Sequence, residues 1–285
     1  MANLKHIRKR ISSVDSIRQV TRAMKLVAAA KLRRAQQNME QARPYARRIN
    51  GVLKELLPDI DRSLHPLLEL KKAPQKAFVV VTADRGLCGS FNTNILKRAQ
   101  AIIDEHGKDR SKVICIGRKG REFFTKREYN VVESYSDFWR DLDFGNAVSI
   151  GASVQERYLN GEFDDVRVIF NEFKNAAQQE IVEYHYLPLV IEEDEDIPFT
   201  DFLFEPSKDD VVQSLVPRHL NVQMWRFLLE SNAAEQAARM TAMGNATENA
   251  GELIAKLTLE FNKARQAAIT TEINEVVSGA EALTE

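Results

Sequence analysis

The chain has 285 residues and a formal net charge of -1, with 40 Lys and Arg against 41 Asp and Glu. This balance excludes a general electrostatic attraction to nucleic acid, and the length allows one large domain or two modest ones. The two cysteines, Cys88 and Cys115, lie far apart, which excludes a disulfide framework and favours a reducing, cytoplasmic-type compartment. Because no apolar run approaches the length of a membrane span and no secretory signal is evident, we expect a soluble chain that reaches membranes only through partners.

A stripe of apolar and small residues predicts a long helix over residues 1–57. The spacing averages about 3.5 residues, which is the seam of a left-handed coiled coil. Pro44 removes one backbone hydrogen bond and is expected to bend the helix, and Pro58 to end it. The predicted seam consists of Leu4, Ile7, Ile11, Val14, Ile17, Thr21, Met24, Ala28, Leu32, Ala35, Met39, Ala42, Ala46, Ile49, Leu53 and Leu56.

The same helix is strongly basic. Residues 1–50 contain 13 Lys and Arg but only two acidic residues, Asp15 and Glu40. Such an asymmetry predicts an acidic partner for this helix. Phosphate contacts with nucleic acid are an alternative, although no aromatic residue that could stack on bases occurs before Tyr45.

Strand and helix signals alternate over residues 76–190, which predicts a Rossmann-like α/β domain with a mostly parallel sheet. Residues 180–187 alternate as a half-buried strand, and Pro188 places that strand at the sheet edge because proline cannot donate to a ladder. The other predicted strands are 78–82, 113–116, 131–132 and 166–170, and the predicted helices are 90–105, 119–126 and 145–159.

Residues 191–215 form a predicted acidic linker, with nine Asp and Glu but one Lys between positions 192 and 210. A second coiled-coil helix is predicted over 216–285, because its apolar and small residues repeat without a stop signal. Its seam consists of Leu229, Ala233, Gln236, Met240, Met243, Thr247, Ala250, Ile254, Leu257, Phe261, Ala264 and Ala268. The fold class is therefore α/β, with two long terminal helices around a sheet domain.

The turn formed by Gly86, Leu87, Cys88 and Gly89 is the place where a dinucleotide or phosphate loop would lie. It lacks the G-x-G-x-x-G pattern and the P-loop lysine, so the glycines are better explained by the geometry of the turn. The five histidines have no metal-ligand spacing, and no nucleophile is accompanied by a base. We therefore predict no catalytic residue, no cofactor and no metal. A Rossmann-type enzyme with helical arms remains an alternative, and it would bind a nucleotide at this turn.

Three stretches, 17–35, 84–92 and 264–280, closely resemble the gamma-subunit family of F-type ATP synthases, and the likeness extends over essentially the whole chain. The resemblance implies a central rotor shaft whose terminal helices pair as an antiparallel coiled coil. The implied partners are three alpha and three beta subunits around one copy, an epsilon subunit and the ring of c subunits. It also implies a peripheral position at the cytoplasmic face of a bacterial membrane, with ion flow driving rotation and no active site in the chain itself.

The resemblance also assigns two sets of contact residues. The positions that meet the beta subunits are Arg8, Lys9, Arg265, Gln266 and Thr270. The apolar tip that turns within the alpha/beta sleeve consists of Ile269, Ile273, Val276, Val277, Ala280 and Leu283. Gly244 departs from expectation because a glycine within a helix weakens it.

Overall fold

The computed structural model describes residues 2–56, 62, 65–69, 75–176, 178–190, 205 and 207–282. The chain divides into two compact units, Met1–Ala28 with Met240–Glu285 and Ala29–Arg239. We call the first the terminal unit and the second the sheet unit. Within the described residues, no helix combines the length and the apolar character that crossing a membrane requires.

Eleven elements follow one another along the described residues. They are α1 (Ala2–Leu56), β1 (Lys76–Val81), α2 (Phe91–His106), a short 3-10 helix (Lys108–Arg110), β2 (Ser111–Ile116), α3 (Arg118–Lys126), β3 (Val131–Tyr135), α4 (Phe144–Leu159), β4 (Asp165–Phe173), β5 (Gln179–Leu187) and α5 (Lys208–Ala282).

The sheet has the strand order β3-β2-β1-β4-β5. The strands β1 to β4 pair in parallel, and β5 pairs antiparallel with β4. The predicted α/β class and the mostly parallel sheet are therefore confirmed, with β5 at an edge. The strand order reverses between β1 and β4, and such a reversal is where open α/β sheets usually form a ligand crevice.

In the terminal unit, α1 and α5 pack against each other in antiparallel directions. The Thr247 hydroxyl donates a hydrogen bond to Oγ1 of Thr21 at 2.8 Å. A second contact joins Arg8 and Phe261, with the guanidinium 5.5 Å from the ring centre. Arg8 precedes Thr21 by thirteen residues in α1, whereas Phe261 follows Thr247 by fourteen residues in α5. Contacts therefore move towards the start of α1 as they move towards the end of α5, which confirms the predicted antiparallel pairing.

The predicted seam positions are buried or half-buried along both helices, apart from Ile17, which is 55% exposed. In the sheet unit, α5 packs through Phe227, whose ring centre lies 4.7 Å from that of Phe170 and 5.1 Å from that of Tyr184. The core of this unit therefore joins the sheet to the C-terminal helix.

The C-terminal helix begins at Lys208, eight residues before the predicted start at 216, so residues 208–215 are helical and do not belong to a linker. Ser207 caps it: the Asp210 amide donates to the Ser207 hydroxyl at 3.2 Å, and that hydroxyl donates to the Asp210 carboxylate at 2.6 Å. Val212 and Val216 then pack into the core of the sheet unit. The rest of the predicted acidic linker, residues 191–204 and 206, lies outside the described residues.

The helix α1 continues through Pro44 and ends at Leu56. The bend expected at Pro44 stays a prediction. Residues 57–61, among them Pro58, lie outside the described residues.

Candidate interaction surfaces

The crevice at the carboxyl ends of β1 and β4 is filled by the chain itself. In a doubly wound sheet this is the place where a nucleotide would bind. An apolar cluster occupies it, contributed by the residues after β1, the end of β4 and α5: Ala83, Cys88, Phe91, Phe173, Ala234 and Ala238. Because α5 lies where a ligand would lie, the crevice is a packed joint of the sheet unit.

The turn predicted at Gly86 to Gly89 leads from β1 into α2 across this joint. Leu87 has φ 63° and is 63% exposed, whereas the Cys88 side chain is buried. Asn92 holds the turn closed, since its side-chain oxygen accepts from the Ala83 amide at 3.0 Å and its amide group donates to the Arg85 carbonyl at 3.3 Å. The turn thus presents one apolar side chain outwards and one thiol inwards.

The Cys88 thiol is in a setting that makes it a poor nucleophile. Burial raises its pKa, and the nearby Arg239 only partly opposes that effect. Cysteine reacts as the thiolate, so a raised pKa keeps the group protonated near neutral pH. The thiol also accepts a hydrogen bond from the Asn92 amide group at 3.3 Å, as expected of a packed core cysteine.

The amino end of α3 also lies at this edge of the sheet, and its amides are bonded within the chain. The Arg118 amide donates to the Asp84 carboxylate at 2.8 Å, the Lys119 amide to the Ala83 carbonyl at 3.1 Å, and the Gly120 amide to the Thr82 hydroxyl at 2.9 Å. Free amides at a helix start are what bind phosphate groups in nucleotide enzymes. These three amides are already used to hold neighbouring loops together.

Asp84 joins three loops at the carboxyl edge. Besides the Arg118 amide, its carboxylate accepts from the Asp137 amide at 2.7 Å. Gly117 allows this close approach, because its φ is +99° and a Cβ there would collide with the Thr82 carbonyl. The ends of β1, β2 and β3 are therefore bonded into one rigid edge.

Two ion pairs lie on α5 on either side of Ala233 and Ala234, and both carboxylates are buried, whereas the Arg226 side chain is 40% exposed. Glu235 and Arg239 are 2.6 Å apart, with side chains only 8% and 13% exposed. Arg226 and Glu230 are 2.9 Å apart. Burial raises the pKa of both carboxyl groups, and the arginine beside each one limits the rise.

Arg239 makes a second contact, which crosses to the turn. Its Nη2 donates to the Gly86 carbonyl at 3.3 Å. The sequence pattern gives no sign of a role for Glu235 or Arg239, because an i,i+4 pair in an alanine-rich helix usually lies on a solvated face. Only their burial distinguishes them.

The five predicted beta-subunit contacts all lie in the terminal unit and are exposed. The Arg8 guanidinium lies over the Phe261 ring. Phe261 precedes Arg265 by one helical turn of α5. The Thr270 hydroxyl donates to the Gln266 carbonyl at 3.0 Å, within its own helix. The 13 basic side chains of α1 counted above are likewise exposed.

The end of α5 carries a bare apolar stripe on one face. Its four large side chains follow a spacing of four, three and one, and they are 47%, 57%, 67% and 50% exposed in the order Ile269, Ile273, Val276, Val277. Ala280 is also exposed, and Leu283 lies outside the described residues. Apolar groups in such a row are typical of a surface that a partner covers.

A basic groove of about 590 Å³ runs beside Gly244 in the terminal unit. Its cationic lining comes from Arg18, Arg22 and Lys25 of α1, and α5 contributes Thr247 and Glu248. Among the described residues, no group of three or more His, Cys, Asp and Glu side chains could hold a metal ion.

Comparison with known proteins supplies the family context. Residues 3–283 match the family described as ATP synthase. The chain is similar to the ATP synthase gamma chain of Pelodictyon phaeoclathratiforme, with 50% identity over 290 residues and 100% of both chains covered. It is also similar to the gamma chain of Chloroherpeton thalassium, with 49% identity and 99% of each chain covered.

Solved structures share the fold at lower identity. One is a Euglena gracilis mitochondrial ATP synthase structure of OSCP, F1 and c-ring, with a TM-score of 0.69, 20% identity, and 99% of this chain and 95% of that chain covered. Another is the central stalk and c-ring structure of the Tetrahymena thermophila mitochondrial enzyme, with a TM-score of 0.64, 24% identity, and 80% and 99% covered.

Proposed function

Because this chain belongs to the ATP synthase family and is related to gamma chains along its whole length, we propose that it is the central rotor shaft of an ATP synthase. One copy turns inside a ring of three alpha and three beta subunits and couples ion flow through the c ring to ATP synthesis or hydrolysis. The full-length identity of 50% to a gamma chain is the observation that carries the proposal. The chain is a non-catalytic subunit, and its filled crevice is consistent with that role.

The proposal divides the chain by role. The helices within 1–57 and 216–285 form the shaft, and the domain at 76–190 contacts the epsilon subunit and the c ring at its foot. The connector between these parts is shorter than the predicted range of 191–215, because α5 begins at Lys208. Membrane association is peripheral, at the cytoplasmic face of a bacterial cell.

The exposed polar groups near the far end of the shaft would meet the beta subunits. Arg8 and Lys9 lie on α1, and Arg265 lies one turn beyond Phe261 on α5, so the three cations share one level of the helix pair. An acidic loop of a beta subunit would bind such a cluster by complementary charge. Gln266 and Thr270 follow within two turns of the same helix and supply neutral polar contacts.

The apolar stripe would turn within the alpha/beta sleeve. Hydrophobic contact is non-directional, so a row of Ile and Val side chains has similar energy in several orientations of the shaft. Ile269, Ile273, Val276 and Val277 are exposed in the chain alone and would be covered in the ring. Ala280 and Leu283 continue the predicted row.

Native mass spectrometry of the chain co-expressed with its alpha and beta subunits tests the proposal. We expect a single copy held by three alpha and three beta subunits. A homo-oligomer of this chain, with no alpha or beta subunit attached, would overturn it.

Matched variants sharpen the result. Lys9→Gln removes one predicted beta contact, and Lys119→Gln removes a partly exposed charge from α3 in the sheet unit. We expect Lys9→Gln to weaken the assembly at low salt and to reduce its dependence on salt concentration, whereas Lys119→Gln should behave like the parent. Equal salt sensitivity of the two variants would remove Lys9 from the set of contacts.

A further inference from the structure

We propose that Glu235, Arg239 and the Gly86 carbonyl form a latch that fixes the edge of the sheet to α5 and carries torque between the two. The inference rests on the proposed rotor function and adds a positioning role for residues that sequence analysis did not mark. It concerns the sheet unit alone, where all three groups lie.

The guanidinium of Arg239 serves two partners on two different elements. One nitrogen lies 2.6 Å from the Glu235 carboxylate, one turn earlier on α5. Another nitrogen donates to the Gly86 carbonyl at 3.3 Å, in the turn after β1. Glu235 thereby fixes the direction of a side chain whose second donor reaches the α/β domain. The two side chains of this ion pair have little contact with solvent, which strengthens their electrostatic interaction relative to a surface pair.

The turn that receives this bond is not an isolated loop. Asp84, two residues before Gly86, bonds the amides of Arg118 and Asp137, and the Arg118 and Asp137 side chains also pair with each other. A force applied to the loops after β1, β2 or β3 therefore reaches the same short segment. From Gly86 it passes to α5 through Arg239.

Around Ala234 and Ala238, the apolar contacts cannot set the rotation of this part of α5 by themselves. Ala234 and Ala238 are small, and contact between alanine and the rings of Phe91 and Phe173 resists separation far better than rotation of the helix about its axis. A hydrogen bond is directional, and a forked guanidinium holds two directions at once. The latch thus adds directional bonds at Arg239 to the packing that Phe227 provides about three turns earlier on α5.

The test uses the complete complex, with alpha, beta, epsilon and c subunits, in lipid vesicles. Ions moved per ATP hydrolysed are measured with proton-sensitive and sodium-sensitive dyes, and deuterium uptake of residues 84–92 is measured on the same preparation. Four forms are compared with the parent: Arg239→Gln, Arg239→Lys, the exchange Glu235→Arg with Arg239→Glu, and the control Lys119→Gln, which breaks an exposed pair with Glu122 in the same domain.

We expect Arg239→Gln to leave ATP hydrolysis within about twofold of the parent while the ions moved per ATP fall at least about threefold. Deuterium uptake at residues 84–92 should rise about fivefold or more, because the turn opens more often. The exchange variant should lose as much coupling as Arg239→Gln. It restores opposite charges on α5, but a glutamate at 239 cannot donate to the Gly86 carbonyl. Arg239→Lys keeps the charge and loses the fork, and should be intermediate.

Two results would overturn the latch. Full coupling in the exchange variant would mean that only the charge pair within α5 matters. If Arg239→Gln has the same coupling and the same deuterium uptake as the parent, as is expected of Lys119→Gln, the bond to Gly86 carries no load. If Arg239→Gln fails to assemble, Arg239→Lys decides, and parent-like behaviour of that variant counts against the proposal. A parent complex that assembles but moves no ions would instead overturn the rotor function itself.

Discussion

Residues 222–237 and 269–277 belong to one helix, α5, and differ in which side chains are buried. The first stretch buries two carboxylates, and the second exposes four aliphatic side chains. The first stretch is almost entirely buried and includes the carboxylates of Glu230 and Glu235. Every residue of the second is exposed, including three of the largest aliphatic groups in the chain's last turns, Ile273, Val276 and Val277. Charged groups usually lie outside and aliphatic groups inside.

The difference matches the role that we propose for each stretch. The proposed joint would resist rotation, which requires directional bonds, and the pair of Glu235 and Arg239 is buried where α5 meets the sheet. The proposed tip would turn against its partners, and aliphatic side chains provide contact without preferred directions. Four predictions test this contrast and the packing on which it depends.

The largest effect is expected from truncating an aromatic ring in the buried stretch. Phe227→Ala removes a fully buried ring that contacts Phe170, Tyr184 and Tyr186, and should lower the free energy of unfolding by about 3–5 kcal/mol. Ile273→Ala, on the same helix, should change it by less than about 0.5 kcal/mol because the side chain is already exposed. Urea unfolding followed by circular dichroism measures both. Similar losses would mean that the tip is packed in the free chain.

A smaller effect should appear on acidification. Burial lowers the pKa of His219 to about 4, and its Nδ1 has no hydrogen-bond partner among the described residues. Between pH 6.5 and 4 the unfolded chain binds a proton that the folded chain does not, so stability falls as pH falls through that window. From pH 7 to pH 5 we expect the His219 contribution to fall by about 2 kcal/mol.

Urea unfolding at the two pH values measures this slope. His219→Leu should flatten it, whereas His6→Gln, at an exposed position, should keep it. An unchanged slope in His219→Leu would assign the pH dependence to other groups.

A still smaller loss is expected in the terminal unit. Thr247→Val removes the hydroxyl that bonds Thr21 across the helix pair, and should destabilise the chain by about 1 kcal/mol. Thr258→Val removes a hydroxyl that bonds only the Ile254 carbonyl of its own helix, and should have less effect. Thermal melting compares the two, and equal shifts would show that the bond between helices adds nothing.

The smallest effect is a gain. Gly244→Ala should stabilise the chain by about 0.5–1 kcal/mol, because alanine restricts the unfolded chain and favours the helix. An added Cβ would meet the Lys25 side chain at 3.6 Å, an ordinary contact. Gly251→Ala meets nothing within 4 Å and serves as the control. An unchanged or lowered melting temperature in Gly244→Ala, with a gain in Gly251→Ala, would show that Lys25 is crowded.

Periodicity was enough to predict the two long helices and their seams, because a buried stripe repeats along the sequence itself. Ile17 is the position where the seam prediction was wrong, since its side chain points to solvent. Pro188 correctly placed β5 at an edge. The start of α5 was set eight residues late because the cap at Ser207 and Asp210 lies within an acidic, proline-containing segment that is typical of a linker.

The filled crevice could not be predicted in the same way. It joins Ala83 and Phe91 to Ala234 and Ala238, which lie about 150 residues later in the chain, and nothing in either segment alone indicates the other. The latch has the same property, because Gly86 offers only a backbone carbonyl. The predicted beta contacts and the apolar tip are exposed in the chain alone, and their role as contacts stays a prediction.

In the language of binding, α5 is a tethered ligand of the sheet. The backbone that links β5 to α5 keeps the helix near the crevice at an effective concentration of about millimolar or more. The two alanine side chains and one guanidinium group at the crevice would form only a weak complex between separate molecules, but on one chain they add to the larger apolar interface that α5 makes through residues such as Phe227. A site that in other sheets exchanges its occupant with every reaction cycle is here occupied by a helix of the same chain.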